Sequence, residues 1–533
     1  MEETTEFARN TPILIIGEFI TFVLSFGITL FLIRYLSVEE YSSFNRVLVI
    51  PTILVFFSDL GLYRGCSYYV ARLDKLNRKQ ESRNVIKITL ITKSLIGIGF
   101  SLSIYFLAEE IISPLIGIQD SNLVNLFKLA LILLITKNLL EAVLSVLVGS
   151  TKMSIFVIVK VILNSMQFVF TIILVFLGWK LFGAVVGLIL STAIAGLFGL
   201  FYIQKKILRQ NGKKENIDWK CLPQLIKRGY FFSLNTIIKN TKIEFFILFL
   251  TLFSFYSEVS YLRVGVSITI IFNLFLRPVM ISLIPIFSKY SWDNNTEKNS
   301  LTQIFHYSIK FCHLLITPVI IFCTIFASEL IPLIFGMNYL ASSHFISIFL
   351  ISYLPLTIGM VAIPSFLFGQ GYPRFAFLID LVSFIASILF SISFSIFLGS
   401  LGFAIGISLG AFLGVVFGIL VTNQKFGKGL FSNNKRSILI IVIAGLLCGL
   451  LFISFYYFTQ WIVLDNPFLK LFILGLVFVC YYILFLIILI RTKLVRYDEM
   501  AFFIQEFQNI PVINRILRFI AVIAKKILKK RND

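Results

Sequence analysis

The sequence predicts an all-α polytopic membrane protein with 14 transmembrane helices. Two six-helix lobes would be related by a pseudo-two-fold axis along the membrane normal, with two further C-terminal helices and both termini cytoplasmic. Three observations lead there. Of 533 residues, 58% are hydrophobic and 14% charged, with a mean hydropathy of +0.95; a soluble chain carries roughly 45–50% apolar and about 25% charged residues. Apolar runs near the ~20 residues that cross a bilayer recur along the whole chain. The 47 Lys+Arg, against 26 Asp+Glu, are segregated between the connecting loops.

The runs are 12–36, 41–64, 85–108, 122–149, 153–177, 181–203, 229–252, 258–288, 304–328, 341–368, 375–398, 401–422, 437–459 and 468–490. The opening MEETTEFARN is acidic and polar and no cleavage site follows the first run, so that run reads as a retained helix. Pro278 and Pro285 are expected to bend or shorten 258–288. With the N-terminus cytoplasmic, the inner loops and tails hold 32 Lys/Arg and the outer loops only Lys180. Such asymmetry follows the positive-inside rule and supports an even number of crossings.

The chain resembles itself across its middle. Ser37, Ser43, Phe44 and Arg46 fall on Ser254, Ser260, Tyr261 and Arg263. Gly183, Gly187, Ser191, Ala195 and Gly199 fall on Gly402, Gly406, Gly410, Gly414 and Gly418, each copy preceded by an FLG tract. The expected organisation is an N-lobe (1–203), a basic linker (204–228), a C-lobe (229–422), two added helices (437–490) and an amphipathic basic tail (491–533). Repeats of six helices enter the membrane in the same direction. Two such lobes with a cleft between them suit alternating access. The glycine stripe at 402–418 reads as close backbone packing. In the tail, Ile504, Phe507, Ile510 and Ile513 interleave with Arg515, Arg518, Lys525 and Lys526, which suits an anionic leaflet surface.

Cysteine and histidine point to no chemistry. None of the six cysteines forms a CxxC pair, the three histidines lack metal-ligand company, and no phosphate-binding GxxxxGK[ST] loop occurs. No cofactor, metal or nucleic acid is expected.

Charge inside the spans is the functional signal, because a Lys or Arg at a helix centre costs about 2.5–3.5 kcal/mol. Fourteen cations lie within or at the ends of spans, against the five acids Glu18, Asp59, Glu141, Glu244 and Asp380. Arg34, Lys87, Lys128, Lys310 and Lys470 are close enough to an end to snorkel. Asn235, Lys239 and Lys242 share one helix face, as do Lys160, Asn164 and Gln167. Lys137 and Glu141 are one turn apart, Glu18 heads a polar side of the first helix, and Lys93 sits in the third run. Local pairing of Lys137 with Glu141 and of Lys242 with Glu244 is the bland alternative. The cation excess calls for an anionic guest such as a diphosphate or an acidic sugar. Its candidate ligands are Arg46, Arg64, Lys137, Lys160, Lys239, Lys242, Arg263 and Arg277. Asp59, Glu141, Glu244 and Asp380 are candidates for ion coupling or pairing.

The stretch LIRYLSVEEYSSFNRVLVI followed by FFSDLGLYRG resembles the opening of polysaccharide-biosynthesis transporters. These are the lipid-linked-oligosaccharide flippases, of O-antigen flippase type, in the multidrug/oligosaccharidyl-lipid/polysaccharide exporter superfamily. The R-x-L-[GS]-x-x-[ED]-[YF] motif falls on Arg34, Leu36, Ser37, Glu40 and Tyr41, and the DLGL tract on Asp59–Leu62. FYSEVSYLRV (255–264) and FLFGQGYPRFAF (366–377) resemble two further junctions of that family. Arg263 stands where relatives usually have small residues, so its candidacy rests on the repeat and the charge argument.

The resemblance implies a flippase, not an enzyme, that turns a polyprenyl- or dolichyl-diphosphate-linked oligosaccharide from the inner to the outer leaflet of the plasma membrane. The protein would act as a monomer, with anionic lipids and glycan assembly enzymes as further partners. A cation-coupled multidrug exporter of the same superfamily is the alternative, and the cation excess argues against it. A membrane glycan polymerase or glycosyltransferase usually needs a large outer loop, and the longest expected here is about a dozen residues.

Overall fold

The computed structural model describes residues 2–492 except 119, 210–217, 289, 291, 293–294, 358–360, 428–429, 432–433 and 461–466. The described elements are helical. In order they are α1 (Glu2–Tyr35), α2 (Val38–Phe57), α3 (Leu62–Lys75), α4 (Lys79–Leu107), the short turn α5 (Ser113–Leu115), α6 (Ser121–Ala130), α7 (Ile132–Gly149), α8 (Met153–Leu174), α9 (Lys180–Ile203), α10 (Leu222–Leu252) and α11 (Tyr256–Ser288). There follow α12 (Asn295–Ile325), α13 (Ala327–Phe335), α14 (Ser342–Thr357), α15 (Ile363–Gly369), α16 (Pro373–Phe426), α17 (Asn434–Gln460) and α18 (Pro467–Arg491).

The expected architecture of fourteen spans in two six-helix lobes does not stand. Among the described residues, eight helices are long and apolar enough to cross a membrane, or nine if the bent pair α2 and α3 counts as one span. The protein is a multi-pass membrane protein whose described residues hold that smaller number of long apolar helices, and the orientation inferred from fourteen alternations goes with the fourteen. Residues 153–177 and 181–203 fall in one helical run, Met153–Leu208, and residues 375–398 and 401–422 fall in another, Pro373–Phe426. Within α10 the charges Lys239, Lys242 and Glu244 crowd one stretch. The run 341–368 is divided, and its larger piece, α14, has only 16 residues. α11 runs through Pro278 and Pro285 as 33 helical residues.

Both long runs reverse direction at a glycine. Gly178 has φ 91° and Gly399 has φ 57°, backbone that glycine adopts at little cost. Beyond each turn, small residues meet the arm that came before. A Cβ on Gly183 would lie 2.8 Å from Leu174, and one on Gly187 2.9 Å from Thr171. A Cβ on Gly402, Gly406 or Gly410 would lie 2.2 Å from Phe394, Ser391 or Ser387. Ser391 and Ser387 donate from their hydroxyls to the carbonyls of Phe403 and Ile407 across the same seam. The partner of the glycine stripe is thus the preceding arm of its own hairpin.

The chain divides into two compact units, Met1–Ser260 and Tyr261–Asp533. In the first, Leu62, Cys66 and Val70 of α3 pack with Ile86 of α4, Val143 and Val146 of α7 and Leu225 of α10. In the second, Phe322 of α12 and Phe326, just past its end, pack with Cys448 of α17 and Tyr481 and Phe485 of α18.

Candidate functional site

The first unit holds a buried ionic cluster built on a break in a membrane helix. The DLGL tract ends α2 and starts α3 at an angle of 40°. Leu60 (φ 47°) and Gly61 (φ 85°) make the break. It releases Asp59 from the helix, and the carboxylate accepts from the Tyr63 backbone N–H at 3.1 Å. Such a cap satisfies one of the N–H groups that the new helix leaves unpaired.

Lys93, in the middle of α4, reaches this carboxylate. Its ammonium lies 2.7 Å from Asp59 Oδ1 and 2.9 Å from Glu141 Oε2 of α7. The lysine side chain is 0% exposed, and those of Asp59 and Glu141 are 13% and 27% exposed. An isolated ammonium at this depth is strongly disfavoured, and two carboxylates offset its lost hydration. The three ionised groups together carry one net negative charge. Beside them, the buried Ser58 hydroxyl lies 2.7 Å from Asn138 Oδ1, and Asn138 donates to the Leu134 carbonyl. Asp59, Lys93 and Glu141 therefore tie the helix break to α4 and α7.

A second polar seam joins α1 to α8. Lys160 pairs with Glu18 at 2.5 Å, and the Ser25 hydroxyl donates to Asn164 Oδ1 at 2.7 Å. Close contacts at Gly17 with Val157 and Gly27 with Phe168 keep the two helices side by side in parallel.

α10 lies antiparallel along α2 and α3, and different chemistry joins the two ends. At one end backbones touch: a Cβ on Gly229 would lie 1.8 Å from the Gly61 carbonyl oxygen, and one on Gly65 2.3 Å from that of Leu225. At the other end the first turns of α11 meet α2: the Ser260 hydroxyl donates to the Val38 carbonyl at 2.7 Å, and that of Ser42 donates to the Tyr256 carbonyl. Arg46 is 7% exposed there. It donates to the Gly117 carbonyl at 2.7 Å and to the Ser43 hydroxyl at 3.0 Å, with its guanidinium 4.5 Å from the Tyr256 ring centre. The motif serine Ser37 caps α2 reciprocally with Glu40. Glu40 also pairs with Lys180 at 2.9 Å.

Of the candidate residues, Arg46, Asp59, Arg64, Lys137, Glu141, Lys160, Lys239, Lys242 and Glu244 lie in the first unit and Arg263, Arg277 and Asp380 in the second. Asp59 and Glu141 are brought together, with Lys93 between them. Lys160 is engaged with Glu18, and Arg46 with Gly117, Ser43 and Tyr256. Arg64 and Lys239 are exposed, Lys137, Lys242, Arg263 and Asp380 half-buried, and Glu244 buried. Arg277 lies in α11, with its side chain outside those described, as are linker residues 210–217 and tail residues 493–533. Sequence reasoning named Lys93 but left it out of the candidate set. A lysine in the middle of the run that lies between the two carboxylate-bearing spans was the available signal. Among the described residues, no group of three or more His, Cys, Asp or Glu is placed to hold a metal ion.

Several solved structures share this fold. An inward-closed structure of the lipid II flippase MurJ matches with 16% identity over 90% of this chain and 99% of that one, at a TM-score of 0.68. An inward-facing multidrug resistance MATE family transporter of the MOP superfamily matches with 16% identity over 78% and 96%, at 0.62. A MOP superfamily transporter from Pyrococcus furiosus, described by the reverse polarity of its binding pocket, matches with 15% identity over 80% and 96%, at 0.57. At these identities the likeness is one of fold. No curated protein matches the sequence. A family model described as "Polysaccharide biosynthesis protein" matches residues 7–291, more than half of the chain, and the chain belongs to that family.

Proposed function

We propose that this protein is an alternating-access flippase of the plasma membrane. It moves a polyprenyl- or dolichyl-diphosphate-linked oligosaccharide from the inner to the outer leaflet for cell-surface glycan assembly. The observation that carries this reading is the family match, which covers the charged first unit from residue 7 onward. The fold shared with a lipid II flippase over 90% of the chain agrees with it.

In this reading the cationic groups meet the diphosphate or acidic sugars of the headgroup, while the lipid tail stays in the bilayer. Lys239 and Lys242 share one face of α10 with Asn235, and Arg64 is exposed on α3. These three cations, with Lys137, Arg263 and Arg277, are the proposed contacts. Arg46 and Lys160 join them when opening of the helices releases their present partners. Asp59 and Glu141 on Lys93, together with Glu244 and Asp380, are the proposed ion-coupling or pairing groups. The protein works as a monomer beside the glycan assembly enzymes.

A second reading, a cation-coupled multidrug exporter, is favoured by one feature. The cluster around Lys93 holds two carboxylates against one ammonium, which suits a cationic guest. A leaflet-accessibility assay decides between the two. Vesicles containing the full chain and a lipid-linked glycan should expose the glycan on the far leaflet faster than protein-free vesicles. Lys239→Ala or Arg64→Ala should slow this about tenfold, the worth of one hydrogen bond to a charged group. Transfer of a cationic dye with no glycan movement would overturn the flippase reading.

A further inference from the structure

Where α10 packs on α3, three arginines and a tyrosine share the exposed side of the pair. The buried face of α3 carries Leu62, Gly65, Cys66, Val70 and Leu73. On the opposite face Arg64, Tyr68 and Arg72 are exposed at successive turns, so a guanidinium is borne one turn before the ring and another one turn after it. The third comes from the other helix: the Arg228 guanidinium of α10 lies 4.5 Å from the Tyr68 ring centre. The acid of α3, Asp74, falls off this face by helical spacing.

Like charges gathered on one surface repel one another unless an anion joins them. Cation–π attraction to Tyr68 holds the Arg228 guanidinium over the ring, and a guanidinium's fork of N–H donors suits phosphate oxygens. The depth of this surface identifies the source of the phosphate. The exposed rings of Trp219 and Tyr230 flank the same end of α10, and Leu76 is exposed just past the end of α3. Exposed Trp and Tyr beside Arg and Lys mark the level where hydrocarbon meets headgroups.

We propose that Arg64, Tyr68, Arg72 and Arg228 form a binding site for the phosphate of an anionic phospholipid. The site exists only while α10 lies on α3, because it takes groups from both helices. The contacts that bring them together are the touching backbones at Gly61 and Gly229 and at Gly65 and Leu225. A bound headgroup therefore favours the packed arrangement of α3 and α10. The site is separate from the Lys93 cluster, and it shares Arg64 with the proposed substrate contacts.

The test uses the full chain in detergent, titrated with phosphatidylglycerol and followed by native mass spectrometry. Phosphatidylcholine and inorganic pyrophosphate are the comparison probes. The wild type should bind phosphatidylglycerol at least about tenfold more tightly than phosphatidylcholine, and pyrophosphate, which offers phosphate oxygens without the lipid, should compete only at concentrations well above the lipid's. The triple variant R64Q/R72Q/R228Q should lose about tenfold in that affinity, and Tyr68→Leu should lose part of it. The control variant K205Q/K206Q/R209Q, which alters cations elsewhere, should bind as the wild type does. Tyr68→Phe keeps the ring and should also bind normally, which separates loss of the site from loss of folding. Equal loss in the control triple, unchanged binding in the arginine triple, or displacement by pyrophosphate at concentrations below the lipid's would each overturn the proposal, the last by assigning the arginines to a soluble diphosphate.

Discussion

The ammonium of Lys93 lies 2.7 Å from the Asp59 carboxylate, at the point where a membrane helix breaks into α2 and α3. The same ammonium binds Glu141 of α7. One lysine thus anchors the break to two neighbouring helices. Removing it leaves two carboxylates facing each other without a counter-ion.

Lys93→Met is expected to destabilise the protein by about 3–5 kcal/mol, the cost of leaving buried charge unpaired. The triple change K93M/D59N/E141Q should recover most of that loss. Thermal unfolding in detergent, followed by tryptophan fluorescence, measures both. If Lys93→Met unfolds at the wild-type temperature, the cluster is not a structural tie.

Glu18 and Lys160 are partly exposed, and their pairing is worth less. Glu18→Lys or Lys160→Glu alone should cost about 1 kcal/mol, and the exchange E18K/K160E should restore most of it. A double-mutant cycle on the same unfolding transition isolates the pair. Additive effects would mean that α1 and α8 are held by their other contacts.

Gly61→Ala meets two obstacles at once. Its φ of 85° is left-handed, and the added Cβ would lie 2.7 Å from the Gly229 backbone. Left-handed strain costs about 1–3 kcal/mol and overpacking about as much again. The variant should lose most of its folded yield, read by size-exclusion chromatography after detergent extraction. Gly178→Ala is a milder control, because the same left-handed backbone there (φ 91°, ψ 2°) meets open space.

Cys221 precedes α10, outside the spans. Burial pushes its thiol above the ordinary range, and the Asp218 carboxylate adds to that. Since the thiolate is the reactive form, maleimide should label it slowly at pH 7 and faster as the pH rises past 9. A single-cysteine protein retaining Cys221 gives this profile by mass spectrometry. Rapid labelling at pH 7 would place the thiol in a more open setting.

The apolar runs made the membrane-helix class legible, yet they did not give the number of long helices. Gly178 and Gly399 read as gaps between spans, and in the structure each is the point where a helical stretch folds back on itself. What hydropathy did not show is that 341–368 is divided and that its larger piece has only 16 residues. The glycine stripe from Gly402 announced a close contact, and only the folded chain shows that Ser383, Ser387 and Ser391 lie opposite. In the site, the DLGL tract pointed to Asp59. Glu141 was legible as a charge in a span, but its nearest cation in sequence was Lys137. The ammonium that does bind it comes from α4. Pairing between helices depends on which faces meet, and a single sequence does not record that.

The place of Lys93 in the chain also bears on how the membrane segment is made. Asp59 leaves the ribosome before Lys93, and Glu141 follows both. When α4 arrives, a counter-ion already waits at the break between α2 and α3. The lysine can then enter the bilayer as half of a neutral couple, and the second carboxylate joins once α7 has been synthesised. Exchanging Lys93 with Glu141 would keep the same three charges but deliver two acids first, with no cation until α7. The order of synthesis, and not just the final arrangement, favours a lysine at position 93.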